Sequence, residues 1–306
     1  RCRLSINTLE FAQNMTKELD KAAGQKTVTG FLADNSLRAR FVGANKVLIP
    51  EVEISGLGDY DRDTGFVTGT ITVSSTPYTL TMDRGRSFQL DREDNDETGI
   101  ANLAGQVMGE FVRTRVVPEV DAYCLSKLAA YAAGQSQTVT GTPASEAYSM
   151  LTEAIQSVQN QVGYDEELVA FVNSVMWDGL QNSSELTRHL EVADFRKGEL
   201  NLQVKSLNGV AILPVPDSRM KSAFDFYDGV SEGKTDGGFQ PATAAKSIGL
   251  LVLPRRAASL VKKTEQVRTF DPAHNPSADA WKFDYRLYYD LFIKNSMASA
   301  IYTYVY

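Results

Sequence analysis

One helical periodicity constrains this chain more than any other feature in it. Ile100, Leu103, Ala104, Val107, Met108 and Phe111 follow the i, i+3, i+4, i+7 rule of a buried helix face. Val117, Val120, Cys124, Leu128 and Tyr131 carry the pattern on to Gly134. At 1.5 Å rise per residue, residues 96–132 predict a rod of roughly 55 Å. A rod that long matches the width of a whole compact domain, so the chain is expected to be flat and to complete itself with neighbours. Pro118 interrupts the pattern, removes a hydrogen bond to the Thr114 carbonyl and predicts a kink, with two helices meeting at Val117 as the alternative. In the acidic run Asp91 to Glu97, Asp94 and Glu97 have capping-box spacing, and acids in a first turn suit the helix dipole.

Strand grammar flanks the rod. Residues 70–73 and 78–82 alternate polar and apolar around Ser74-Ser75-Thr76-Pro77, which predicts a β-hairpin turning at 74–77. Val47-Leu48-Ile49, then Val52 and Ile54, predict a strand whose Pro50 marks an edge or bulge. Near the C-terminus, Trp281 to Ile293 alternate without a break and predict a strand of about 40 Å. Residues 301–305 are expected to turn back and pair with it, and the long strand is expected to lie along the rod. Between rod and strand the grammar is mixed. A linker at 135–144 precedes a helix from about 145 to 162, and a hairpin forms around Asn208-Gly209. Residues 228–246 read as an exposed loop. Ile248 to Leu253 reads as a strand buried on both faces. Residues 5–24 predict a short helix with a thin apolar face (Leu9, Ala12, Leu19, Ala22), closer to an arm than to a domain nucleus.

Composition narrows the function. The 306 residues are 43% hydrophobic and 23% charged, enough for one large or two medium cores. A formal charge of −7 argues against tight nonspecific nucleic-acid binding through overall charge. Cys2 and Cys124 are the two cysteines, too few for a disulfide framework, and a reducing compartment fits better. No stretch approaches the ~20 apolar residues of a membrane span, and no signal core follows Arg1. Arg1 is not methionine, which fits a trimmed chain or a proteolytically matured one.

Recognisable catalytic chemistry is missing from the pattern. His189 and His274 have no ligand-spaced partner and no nucleophile elbow. Asp59, Asp61 and Asp63 imitate the start of a calcium loop, yet Thr64 replaces the required glycine and Thr70 the closing glutamate. Neither GxxxxGK[ST] nor GxGxxG occurs. The expectation is a non-enzymatic protein with no catalytic, cofactor-binding or metal-binding residues and no cofactor.

Four ordered segments carry a family resemblance: residues 81–91 (TMDRGRSFQLD), 108–123 (MGEFVRTRVVPEVDAY), 212–220 (ILPVPDSRM) and 282–290 (KFDYRLYYD). Together they resemble the major capsid proteins of tailed double-stranded DNA bacteriophages with the Hong Kong 97-type capsid fold. The resemblance implies an α+β fold with residues 1–35 as N-terminal arm and 36–144 as peripheral P-domain. Within the latter lie an E-loop hairpin at about 56–92 and a spine helix at about 96–132. Residues 145–272 would be the inserted A-domain, and 273–306 the return strands of the P-domain, joined in one sheet by strands near 41–54. The implied function is a structural protein that self-assembles into an icosahedral shell around the phage genome. Its implied partner is itself, as hexamers and pentamers. Scaffolding, portal, maturation protease and decoration proteins are candidate partners, and packaged DNA would be met on the inner face without sequence specificity. No membrane contact is implied. The location would be the virion capsid, assembled in the host bacterial cytoplasm. Two rivals remain: an encapsulin-type shell enclosing protein cargo, and a phage tail or adhesion protein, against which the long helix argues.

Overall fold

In a computed structural model, the helical periodicity becomes one continuous run with a defect in its middle. The structure describes residues 27–33, 40–43, 45–63, 65–91, 103–141, 146–183, 191–197, 200–207, 209–270, 272–275 and 278–306. The expected helix at 5–24, the Asp94–Glu97 capping box, the first turns of the rod and His189 lie outside the described residues.

Helix α1 (Leu103–Phe111) passes through a π-helical segment (Val112–Val116) into α2 (Val117–Gly134). The Val117 N–H donates to the Val112 carbonyl, five residues back. Pro118 follows at once, in the first turn of α2. A missing N–H is tolerated there because the wider π-turn has already displaced the ladder. The described run spans 32 residues from Leu103 to Gly134, about 48 Å at helical rise. It closes through Ser136, whose φ of +59° is left-handed.

The sequence suggests a single buried stripe on this helix, yet α2 is enclosed on several sides, with Asp121, Ala122, Leu125, Ser126 and Ala129 buried beside the stripe residues. The reason is that two sheets share it. The first has the order β13–β14–β4, from Ala258–Phe270, Ala280–Ile293 and Met82–Asp91, all antiparallel. Here β14 is the long alternating strand, and its Phe283, Tyr285, Leu287, Tyr289 and Leu291 are buried in the α2 core. Phe111 meets Tyr285 and Tyr123 meets Tyr289 edge-on at 5.8 and 5.5 Å, so helix and strand advance together as the sequence suggests.

The second sheet has seven strands in the order β5–β15–β12–β6–β9–β8–β7. Their ranges are β5 Thr138–Thr140, β6 Leu168–Val172, β7 Glu191–Lys197, β8 Leu200–Leu207, β9 Val210–Pro214, β12 Ile248–Pro254 and β15 Tyr302–Val305. Alternation explains why β6 and β12 are buried throughout. Val169, Phe171, Leu251 and Leu253 face the α2 core. Leu168, Ala170, Val172, Leu250 and Val252 face helices α3 (Ala147–Val162) and α4 (Ser174–Asn182). A strand covered on both faces needs an unbroken apolar run. The β8–β9 hairpin turns where the sequence places it, with Gly209 at φ +79°.

Five features of the pairing differ from the sequence expectation. Residues 74–77 are not a turn: Ile71–Thr79 is one strand, β3, antiparallel to β2 (Lys46–Ile54) along its full length. Pro77 fits because β3 is an edge strand, and Pro50 fits because β1 (Arg40–Val42) covers β2 only as far as Leu48. Residues 302–305 do not pair with the long strand, whose two edges are already filled by β13 and β4. They cross through Asn295–Ala300 and enter the seven-stranded sheet between β12 and β5. The strands near 41–54 form their own sheet, β1–β2–β3, and do not join the sheet of β14. Finally, the linker at 135–144 contains β5, and the loop at 228–246 contains β11 (Phe239–Pro241), paired with β10 (Phe224–Phe226).

Candidate assembly interface

The β2–β3 ribbon has two faces with different fates. Directly opposed residues share a face, and successive residues alternate. One face holds Val47 and Ile49 opposite Tyr78 and Thr76. Val47 and Ile49 are buried with Leu80, Val261 and Phe292, which fixes the root of the ribbon to the β13–β14 sheet. The opposite face pairs Val52 with Val73 and Ile54 with Ile71. All four are exposed, Ile54 and Ile71 at 71% each.

Beyond them the loop 55–70 forms a small structured tip. Tyr60 and Phe66 stack tilted at 4.8 Å between ring centroids, and Gly65 N donates to the Asp61 carbonyl at 2.8 Å. Leu57, Phe66 and Val67 are strongly exposed. The Asp61 carboxylate accepts the Asp63 N–H at 2.8 Å, so the calcium-like acids form a local turn. Four β-branched side chains and a tip of apolar residues make a patch of the kind that monomers rarely leave uncovered. Burying the four would contribute about 6–12 kcal/mol before the costs of association.

The ribbon root is held by a buried carboxylate. Asp290, on β14, accepts from Thr81 N at 3.0 Å, Thr81 Oγ1 at 2.9 Å, Tyr123 Oη at 2.7 Å and its neighbour Leu291 N at 2.7 Å. Lys127 of α2 completes it as an ion pair. Thr81 lies between β3 and β4, so the cluster joins the ribbon, the long strand and the helix at one point. Burial pushes the Tyr123 phenol up, keeping it a donor.

A second buried carboxylate, Asp121, accepts from Val28 N at 3.1 Å, Thr29 N at 3.0 Å, Thr29 Oγ1 at 2.6 Å and Arg219 Nη1 at 3.0 Å. Burial pushes its carboxyl upward, against the pull of the Thr29 hydroxyl, the backbone donors and Arg219. This cluster seats residues 27–33 in the core, where Phe31 stacks on Phe171 at 6.0 Å.

Arg84 and Arg86 lie on β4 and are used within the subunit. Arg84 Nε donates to Glu119 at 2.6 Å, and its Nη1 and Nη2 donate to the carbonyls of Tyr227 at 2.7 Å and Gly238 at 3.2 Å. Arg86 reaches the Thr235 carbonyl at 3.2 Å. These forks fasten the glycine-rich loop to the sheet.

His274 is exposed in its turn. The Cys124 thiol is buried, and burial pushes its pKa up, which leaves it a packing residue. Among the described residues, no group of three or more His, Cys, Asp or Glu could hold a metal ion, and no helix is long and apolar enough to cross a membrane.

No family model matches the sequence. No curated protein matches it either. Solved structures do. A chain of Mycobacterium phage Che8 superposes with TM-score 0.52 at 11% identity, covering 85% of this chain and 84% of that one. The mature capsid of bacteriophage PhiM1 gives 0.53 at 13% identity, covering 86% and 82%. The capsid of cyanophage P-SCSP1u gives 0.54 at 11% identity, covering 87% and 84%. A virus-like particle from Pyrococcus furiosus gives 0.50 at 7% identity, covering 96% and 99%. At such identities the likeness is one of fold, and it extends over most of each chain. The protein has the mixed helix-and-sheet fold seen in phage capsid subunits.

Proposed function

We propose that this protein is the major capsid protein of a tailed bacteriophage, with the Hong Kong 97-type architecture, and builds an icosahedral shell around a double-stranded DNA genome. The observation that carries the proposal is the β2–β3 ribbon, whose root face is buried in its own subunit while its opposite face is apolar and bare. Such a face asks for another copy, and closed symmetric assembly is the usual answer. The likeness to the PhiM1 and cyanophage capsids supports it, as do the four ordered sequence segments. Many modest contacts per subunit let misplaced copies leave while the closed shell persists.

In this reading the E-loop, expected at about 56–92, becomes the ribbon Lys46–Thr79 with its tip, because Met82–Asp91 pairs with β14. The α1–α2 run is the spine helix. The P-domain sheet is β13–β14–β4, so Ala258–Phe270 leaves the A-domain expected at 145–272. The seven-stranded sheet with α3 and α4 is the A-domain, to which β5 and β15 are added. Of the N-terminal arm that the resemblance implies for residues 1–35, the described part, 27–33, is held in the core by Asp121. The activity is structural, with no catalytic step assigned.

Negative-stain microscopy and light scattering of concentrated protein, with scaffolding protein supplied, test the proposal. Uniform closed particles are expected; a monomer in every condition rejects it. Particles that copurify with protein cargo and never package DNA would instead favour an encapsulin-type shell, the reading closest to the Pyrococcus furiosus particle.

A further inference from the structure

Strands at the rim of a sheet are normally guarded against a further strand, and here one rim is not. The outer strands β4, β7 and β13 carry four charged residues each, and β1 and β5 are only three residues long. Charge and shortness both keep a strand edge from recruiting another chain. Strand β3 has neither. It is a nine-residue edge strand, and no charged residue occurs anywhere in 65–82. Residues 71–75 are all exposed, so this part of the edge stands clear of its own subunit.

The register of the ribbon fixes which backbone groups that edge offers. At the tip end Ser55 N donates to the Thr70 carbonyl at 3.0 Å, and at the root Leu80 N donates to the Asn45 carbonyl at 2.8 Å. Between these two hydrogen-bonded pairs, antiparallel alternation turns the N–H and C=O groups of Thr72, Ser74, Thr76 and Tyr78 toward β2. Ile71, Val73 and Ser75 therefore turn theirs outward, where no strand meets them among the described residues. Pro77 falls in the outward set too, and having no N–H it ends the usable ladder. At the other end β3 itself stops at Ile71. The open ladder is short, and Val73 is its centre.

We propose that this edge pairs with the same edge of a second copy, antiparallel, about a two-fold axis at Val73. Ile71 lies opposite the partner's Ser75 and Val73 opposite the partner's Val73, with about six main-chain hydrogen bonds exchanged. The segment suits a copy of itself. It is uncharged, so like meets like without repulsion, and its open ladder reads the same from either side of Val73. Opposed residues share a face, so the pair joins the bare Val52, Ile54, Ile71 and Val73 of two subunits into one apolar surface. The inference rests on the reading that the ribbon contacts another copy, and adds that it does so by its edge.

Val73→Pro tests this in the full-length protein. It removes the outward N–H at the centre and leaves the ladder to β2 intact, and Pro77 shows that the edge accepts proline. Val73→Thr is the counterpart, keeping the N–H while making the side chain polar. Sedimentation across a concentration series, thermal transitions and amide hydrogen exchange compare the three proteins. In the wild type, the amides of Ile71, Val73 and Ser75 should gain protection as copies associate. Val73→Pro should weaken association by about tenfold or more with its thermal transition unchanged, as the loss of two hydrogen bonds gives. Val73→Thr should weaken it less; an equal or larger loss in Val73→Thr assigns the contact to the apolar face and overturns the edge pairing. Symmetry is read from Val73→Cys in a Cys2→Ser background. Opposed Cα atoms about 5.5 Å apart lie within disulfide reach, so mild oxidation should give a covalent dimer. Ile54→Cys, on the inner strand β2, should give none. Protection without the Val73→Cys dimer means that a different strand fills the edge, and it overturns the proposal, as does exchange unchanged by association. Closed particles lacking protection at these amides would overturn the edge pairing and leave the capsid reading intact; protected dimers that never close would do the reverse.

Discussion

Asp290 lies fully buried beneath Thr81 and accepts both its backbone N–H, at 3.0 Å, and its hydroxyl, at 2.9 Å. The two residues are 209 positions apart, and between them they tie the base of the exposed ribbon to the long strand. The ribbon leaves the subunit from a rigid anchor, with Leu80 buried beside it and Tyr288 Oη donating to the Leu80 carbonyl at 3.3 Å. Through Asp290 the ribbon's base is joined to both β14 and α2.

Removing that anchor should be costly. Asp290→Ala strands the donors of Thr81 and Tyr123 and leaves Lys127 without its carboxylate, and we expect a loss of about 3–5 kcal/mol. Asp290→Asn, which keeps an acceptor, should lose less. Urea unfolding of both variants checks this, and an Ala variant within 1 kcal/mol of wild type would show that the cluster is not the anchor.

Shortening the ribbon should separate folding from assembly. Replacing residues 55–70 with a two-residue Asn-Gly turn removes the tip, while Val47, Ile49 and Leu80 keep the root buried. We expect an unchanged cooperative transition and no particles by light scattering. A collapsed thermal transition would mean that the tip belongs to the subunit's own stability.

Pro118 and the π-segment before it invite a test of bending. Pro118→Ala restores an N–H two residues past the π-turn, allowing the helix to regularise. Thermal stability should rise by about 1 kcal/mol, and particles should still form. If assembled particles change shape, that change should be slower in the variant, followed by time-resolved scattering; unchanged kinetics would remove any hinge role for this defect.

Covalent cross-linking through the ribbon should be absent. No lysine occurs between Lys46 and Lys127, and Arg84 and Arg86 are engaged with Glu119 and loop carbonyls. Guanidinium stays protonated and does not form amides under these conditions. Mature particles boiled in detergent with reductant should run as a single band at the monomer mass. A ladder of multiples would require Lys46, at the ribbon's root, or a lysine from outside the ribbon.

Local pattern alone determined a good part of this protein. The period through Met108, Val117, Val120, Cys124 and Leu128 is set by side-chain burial on a helix, although Val107, expected on the same face, is exposed. The rod and its end at Gly134 are therefore legible, as are β14 from its alternation and β12 from its unbroken apolar run. Tertiary structure decided what pairs with what. Ser74–Pro77 carries turn chemistry, yet the partner strand β2 draws it into a ladder along an edge where Pro77 costs nothing. Residues 302–305 could satisfy their backbone on several strands; β14 had no free edge, and the slot between β12 and β5 was covered on both faces. The Asp290 and Asp121 clusters were invisible for the same reason. Each gathers donors from segments about 90 to 210 residues apart, and a single aspartate in a sequence does not say which distant N–H groups it will have to satisfy.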